Sequence, residues 1–328
     1  MRALWRSPIP NYKSQITNFP VSRTLKAHLL LVLVTFVWGV TFVEVKDALS
    51  DISPLLFNAV RMALASVALL LMFRKHLHWN AAALRTGVWM GILLWAGYEF
   101  QTTGLVYTTP SKSAFVTGLS VVLVPVFLTL IWRRHINRWT SFGVLAALAG
   151  LYLLTVPAAG TGGLLSGINR GDALTLGCAV AFGFQIIYMG PAAREHGFEH
   201  IATLQACVAT LLMAASIPLL EKPHVVWSPR VVAAILVTAL LATAAAFSIQ
   251  AWAQQFTPPT HTALIFVLEP VFAWASSYVV LKERLGTRAG LGALLILAGV
   301  LLSELKGSAS QPSQEVNDAE SISGNALS

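Results

Sequence analysis

Residues 231–255 run for 25 positions without a single Asp, Glu, Lys or Arg. Three further stretches, 29–43, 63–73 and 114–131, are equally free of charge. A helix that crosses the hydrocarbon core of a bilayer needs about 20 apolar residues. The alternative for such runs is the buried strands of a large α/β protein, which would require turn signals every few residues, and these are absent inside them. Composition agrees, since only 11% of the chain is charged where a soluble domain has roughly 25%. The fold class expected is therefore an all-α membrane protein.

Hydropathy and punctuation place ten transmembrane helices at about 27–45, 54–73, 87–107, 111–132, 139–156, 172–190, 201–220, 230–252, 259–281 and 288–305. Residues 1–26 are polar and Pro-containing and lack a signal-peptide core, so they read as a cytoplasmic N-terminal tail. Residues 306–328, rich in Ser, Gln, Asn and acidic groups, read as a disordered C-terminal tail. The Gly-rich linker 157–171 separates a first five-helix repeat, 27–156, from a second, 172–305.

The net charge of +8 does not point to nucleic acid, because the basic residues sit in short loops where they report membrane sidedness. In the first half Arg23, Lys26, Arg74, Lys75, Arg133 and Arg134 favour cytoplasmic termini, while Lys222, Arg230 and Arg288 in the second half pull the other way. The first half carries the stronger bias, giving a multi-pass protein of a bacterial plasma (inner) membrane with both termini inside. Cys178 and Cys207 lie in apolar stretches with no CxxC or His partner, so neither a metal nor a redox cofactor is expected.

The two halves resemble each other. A shift of 149 residues lays Tyr107-Thr-Thr-Pro-Ser-Lys-Ser-Ala-Phe115 on Phe256-Thr-Pro-Pro-Thr-His-Thr-Ala-Leu264 and Gln101 on Gln250. The same shift lays Gly143 on Gly292 and Ala149-Gly150 on Ala298-Gly299. With five spans per half, the second copy must enter the membrane from the opposite side. Inverted repeats of this kind build secondary transporters, with the solute site near the midplane between halves. Gly87/Gly91, Gly286/Gly290 and the Gly143, Ala147, Gly150 face supply small residues for close helix packing.

Ionisable groups inside a bilayer usually face a partner or a wet cavity. Glu44 lies near the outer end of the first span, beside Lys46 and Asp47. Arg61 lies seven residues past Pro54, ~10 Å into the second span at 1.5 Å per residue. Glu99 sits well within the third span, and Glu269 falls ~15 Å deep in the ninth. Arg61 stays protonated and needs an anion. A structural bridge to Glu99 or Glu269 and a site for an acidic solute or a proton both satisfy that need. Pro270 follows Glu269 and frees the Phe266 carbonyl, and Pro125 does the same for Val121, so kinks that line a cavity are expected at both. Gln101, Gln185, Gln250, Gln254 and Asn58 add neutral polar groups. Trp38, Trp95, Tyr98, Tyr188 and Trp252 offer aromatic walls, whereas Trp79, Trp132, Trp139 and Trp227 sit at span ends as interfacial residues.

These motifs resemble those of the drug/metabolite transporter superfamily, in particular its EamA-type ten-helix members. The resemblance rests on Trp38-Gly39, Pro54-Leu-Leu-Phe-Asn-Ala-Val-Arg61, Tyr107-Thr-Thr-Pro-Ser, Pro125-Val-Phe127, Leu268-Glu-Pro-Val-Phe272 and Lys282-Glu-Arg-Leu285. Their order and spacing span residues 27–305. It implies a basket of ten helices and export or exchange of small metabolites without ATP. Substrates in the family include amino acids, nucleotide precursors, sugars and drugs. Arg133-Arg134-His135 departs from the acidic residue usual there, and Glu99 has no counterpart in the pattern.

The expected function is that of a secondary transporter, an exporter or exchanger of small metabolites, with proton coupling through Glu269 among the expectations. The cavity would be lined by spans one to four and six to nine. Its substrate-binding candidates are Trp38, Glu44, Arg61, Glu99, Gln101, Gln185, Tyr188, Gln250, Trp252 and Glu269. The partners are a small-molecule substrate and the lipid bilayer, with monomer and homodimer both open and no cofactor. A membrane-embedded lipid-modifying enzyme and a non-transporting membrane protein are the alternatives. The enzyme would need a nucleophile or metal cluster, and the chain has no HExxH.

Overall fold

The computed structural model describes residues 21–77, 80–108, 110–134, 136–155, 169–281 and 286–307. Most of the N-terminal tail, Trp79, His135, most of the Gly-rich linker, the Lys282–Leu285 motif and nearly all of the C-terminal tail lie outside the described residues. The described residues are helical, with no strand beyond one isolated bridge between Ile52 and Val225.

The helices are α1 (Val21–Ala48), α2 (Pro54–Phe73), α3 (Ala81–Tyr107), α4 (Pro110–Gly118), α5 (Ser120–Trp132), α6 (Arg138–Thr155), α7 (Arg170–His196) and α8 (Phe198–Leu220). After them come α9 (Pro229–Ala239), a π-helical turn at Leu240–Ala245, α10 (Ala246–Ala253), α11 (Pro259–Phe266), α12 (Glu269–Leu281), α13 (Thr287–Leu302) and a closing π turn at Ser303–Gly307.

Among the described residues six helical stretches are long and apolar enough to cross a membrane: Arg23–Ala48, Pro54–Phe73, Ser113–Trp132, Arg170–His196, Phe198–Leu220 and Pro229–Ala253. Two shorter apolar helices, Arg138–Leu154 and Thr287–Leu302, accompany them. The 27 residues of α3 also exceed the length required, but this helix carries Arg85, Glu99 and Gln101. Large apolar side chains on the outer faces are bare, among them Leu130 at 74% and Leu219 at 81% exposure. A surface of this kind is stable against lipid, not against water. The chain is a multi-pass membrane protein.

Close backbone approach organises the bundle. A Cβ at Gly143 would stand 2.7 Å from the Gly299 carbonyl oxygen, and one at Gly150 2.5 Å from that of Gly292. The reverse contacts are equally short, so α6 and α13 touch backbone to backbone. Gly87 and Gly91 admit Leu204 and Val208 of α8 in the same way. Gly286 and Gly290, expected to form a second small-residue contact, have nothing within 4 Å. Their spacing serves no packing among the described residues.

The start of α7 is stitched to the end of α3. Asn169 and Asp172 form a reciprocal capping box, which satisfies two of the orphan N–H groups at the helix start. The Asn169 amide donates to the Tyr107 carbonyl at 2.9 Å, and the Thr108 hydroxyl donates to Asp172 at 2.9 Å. Lys46 donates to the Leu105 and Thr108 carbonyls at 2.6 and 3.3 Å, where the negative end of the α3 dipole favours a cation.

Two breaks shape the interior. The first separates α4 from α5 at Leu119. The second separates α11 from α12 at Val267–Leu268. Pro270 is thus the second residue of a new helix, where its missing N–H costs nothing, and the chain is interrupted there instead of kinked. Pro125 lies inside α5, six residues beyond Leu119, and is buried.

Candidate functional site

A cavity with about 890 Å³ of space not filled by atoms, its open side included, lies between α1, α2, α3, α4, α5, α7, α10, α11 and α12. Val45, Leu105 and Ala114 border it toward the end of the bundle where α1 and α3 finish and α4 begins. Toward the other end, Leu31, Val34, Leu128, Phe256 and Leu264 belong to one packed apolar cluster that fills the bundle.

Arg61 enters from α2 and is 5% exposed. Its Nε donates to Thr243 Oγ1 at 2.8 Å, and Nη2 donates to Tyr98 Oη at 2.9 Å and to the Ala242 carbonyl at 3.5 Å. The guanidinium also stacks over the Tyr98 ring, 4.5 Å from its centroid. Both acceptors on the other side come from the π-helical turn. There the widened helix presents the Ala242 carbonyl sideways, and the Thr243 hydroxyl donates to Thr238 O at 2.8 Å while accepting from Arg61. The same Ala242 carbonyl accepts from Trp38 Nε1 at 2.8 Å. π-bulges concentrate at functional sites because they redirect backbone groups in this way.

No carboxylate oxygen lies within 4.0 Å of Arg61 among the described residues. The structural bridge considered for Arg61 with Glu99 or Glu269 is therefore not formed. Glu269, the first residue of α12, lines the cavity, and among the described residues no group donates to its carboxyl. Gly39 seats this turn. A Cβ there would stand 2.8 Å from the Glu269 carbonyl oxygen and 2.7 Å from Phe272 Cβ, so only glycine lets α1 press against it. Trp38, the preceding residue, packs edge-on against Phe266 with centroids 5.0 Å apart.

A glutamine chain forms one wall. Gln250 Nε2 donates to Gln185 Oε1 at 3.0 Å and to Gln254 Oε1 at 2.9 Å, and Gln254 Nε2 donates to the Ile186 carbonyl at 2.9 Å. Gln185 Nε2 reaches Gln205 of α8 at 3.4 Å. Gln101 lies across the cavity, 3.5 Å from Thr117 Oγ1.

The cavity thus brings together Trp38, Arg61, Gln101, Gln185, Gln250 and Glu269. Four other candidates lie elsewhere. Glu44 is exposed on α1. Glu99 is buried but absent from the cavity lining, with Asn58 and Ser216 close by and no hydrogen-bond partner for either carboxyl oxygen. Tyr188 packs edge-on against Trp89 and Trp132, and Trp252 lies between Phe256 and Lys26. The span containing α8, expected to line the cavity, stands behind it through Gln205 instead. Sequence reasoning missed the hydroxyls of Thr41, Thr102, Thr117 and Ser120, which line the cavity, and Thr243, which holds Arg61. Hydroxyl residues recurring in otherwise apolar spans were the available signal. It is weak, because Thr in a helix often bonds its own i−4 carbonyl.

Bare apolar flanks around a cavity lined by polar side chains define a multi-pass membrane protein with a polar interior site. The profile of the EamA-like transporter family matches residues 25–156 and 169–305, and the chain belongs to that family. It is 34% identical over 284 residues to an uncharacterized transporter of Archaeoglobus fulgidus, covering 87% of each chain. It is 25% identical to the uncharacterized transporter YoaV of Bacillus subtilis, covering 85% of this chain and 97% of the relative. A protein of known crystal structure superposes with a TM-score of 0.71 at 18% identity, covering 85% of this chain and 96% of the other, and so shares the fold.

Proposed function

We propose that this transporter is a secondary carrier, an exporter or exchanger that moves a small metabolite through the cavity between two inverted five-helix repeats. Ten transmembrane helices, a bacterial plasma-membrane location and cytoplasmic termini belong to the same proposal. The observation that carries it is the pair of ionisable groups Arg61 and Glu269, without an ion-pair partner among the described residues, facing one cavity beside two interrupted helices. Carriers of this architecture place their solute at such interruptions, where backbone groups are freed at mid-depth.

Several features support the repeat. Adding 149 to Leu119, where the first interruption falls, gives Leu268 in the second. Under the same shift Gly143 becomes Gly292 and Gly150 becomes Gly299, so the contacts Gly143–Gly299 and Gly150–Gly292 exchange with one another. Reciprocal contacts of this kind are what a two-fold axis produces. The family match also falls in two segments of nearly equal length.

In this proposal Arg61 and, in its protonated form, Glu269 anchor the solute, Gln101, Gln185 and Gln250 orient it, and Trp38 walls it. Glu269 is the candidate proton carrier for coupling. Purified protein in liposomes, assayed by counterflow of a metabolite mixture, should retain its fold and lose flux on Glu269→Gln. Unchanged flux in that variant would remove Glu269 from the transport cycle.

A further inference from the structure

The chemistry of the cargo follows from how Arg61 is held, and rests on the cavity being the solute site. The guanidinium is charged at any physiological pH. Its partners on the protein are a hydroxyl from α3, a hydroxyl from the π-helical turn and one long contact to a carbonyl, all neutral. Nη1 has no acceptor among the described residues, and Arg61 belongs to the cavity lining. A buried cation normally sits beside a carboxylate, because desolvation is costly without one. Here the protein supplies the cradle and omits the anion.

Arg61 is the single basic residue lining the cavity among the described residues. Glu269 stands at the start of α12. It is the single acidic residue lining the cavity among the described residues, and it does not reach Arg61. The rings of Trp38, Phe182, Phe247 and Phe266 supply the aromatic part of the remaining lining, beside Gln101, Gln185 and Gln250.

We infer that the cargo is a small organic anion whose carboxylate docks on the free edge of Arg61, with its apolar body among these rings. Charge-assisted hydrogen bonds to a planar guanidinium are the strong and directional ones. A carboxylate there takes the place of the missing counter-ion. An ionised Glu269 would repel it, so neutralising that side chain strengthens binding of an acid and weakens binding of any cargo that also carries an ammonium group.

The test is calorimetric titration of the detergent-purified full-length protein at neutral pH. The probes are acetate, butanoate, benzoate and 3-phenylpropanoate, each beside its primary amide, together with 3-phenylpropylamine. At least one acid should bind about tenfold more tightly than its amide, the value of one charge-assisted contact. Arg61→Gln should erase that preference, Arg61→Lys should keep part of it, and Glu269→Gln should preserve or raise it. No preference for any acid over its amide in the natural protein overturns the inference whether or not the variants fold. Tighter binding of the amine also overturns it, as does an acid preference that survives Arg61→Gln. Acid binding without counterflow of the acid in liposomes would instead overturn the carrier proposal and leave the anion site standing. Counterflow of uncharged solutes alone would do the reverse.

Discussion

Arg61 owes its position to Thr243 as much as to its own helix. The Thr243 hydroxyl accepts from Nε at 2.8 Å and donates to Thr238 O at 2.8 Å, so one small group joins α2 to the π-helical turn. Thr243→Val keeps the shape and removes both bonds, leaving a buried donor with one acceptor fewer. It is expected to destabilise the protein by about 1–3 kcal/mol, read as a lower melting temperature of the purified protein. An unaltered melting temperature would show that the bond contributes nothing. Trp38→Phe keeps the ring among Phe247 and Phe266 but loses the 2.8 Å bond to the Ala242 carbonyl, and about 1 kcal/mol is expected from that. The ionisable residues themselves were legible as polar exceptions in apolar spans. Their partners were not, since nothing local in Arg61 names a residue 182 positions away.

Helices α6 and α13 depend on four glycines in mutual backbone contact. A valine at Gly150 would meet the Gly292 carbonyl oxygen at 2.5 Å even at its Cβ, and a contact with backbone cannot be relieved by a rotamer change. Gly150→Val is expected to cost about 1–3 kcal/mol or more, whereas Gly290→Val, with open space around it, should leave the melting temperature unchanged. Equal effects of the two would contradict the packing described. The junction between α7 and α8 offers a different case. Gly197 has φ of 88° and ψ of 138°, a conformation that a side chain opposes. Gly197→Ala is expected to destabilise by about 1–3 kcal/mol through backbone strain alone, measurable by thermal unfolding. Glycine spacing alone marked both Gly143/Gly150 and Gly286/Gly290 as packing faces. Among the described residues only the first has a partner, because a small-residue stripe records what a helix permits and not what lies opposite.

At the scale of the whole molecule, the loop after α1 and the loop after α8 meet at one end of the bundle. Ser53 N donates to the His224 carbonyl at 3.0 Å, Glu221 accepts from Leu55 and Leu56 N, and Asp47 pairs with Arg230 at 3.3 Å. That ion pair is more than half exposed on both sides and is worth little by itself. If both termini are cytoplasmic, this end faces outward. Ser50→Cys and Trp227→Cys, both at exposed positions, should then react with a membrane-impermeant thiol reagent added to intact cells. Labelling only from inverted vesicles would reverse the orientation. Buried Cys178 should react from neither side. The helical class and the membrane environment were written in the chain itself. Hydropathy is a local property, and an uninterrupted apolar run of about 20 residues satisfies its backbone inside a bilayer by becoming a helix. Which polar groups share a cavity was decided only in three dimensions. Trp252, Tyr188 and Glu99 carry the same chemistry as Trp38, Tyr98 and Glu269, but a helix has several faces, and the neighbours that select one come from distant parts of the chain.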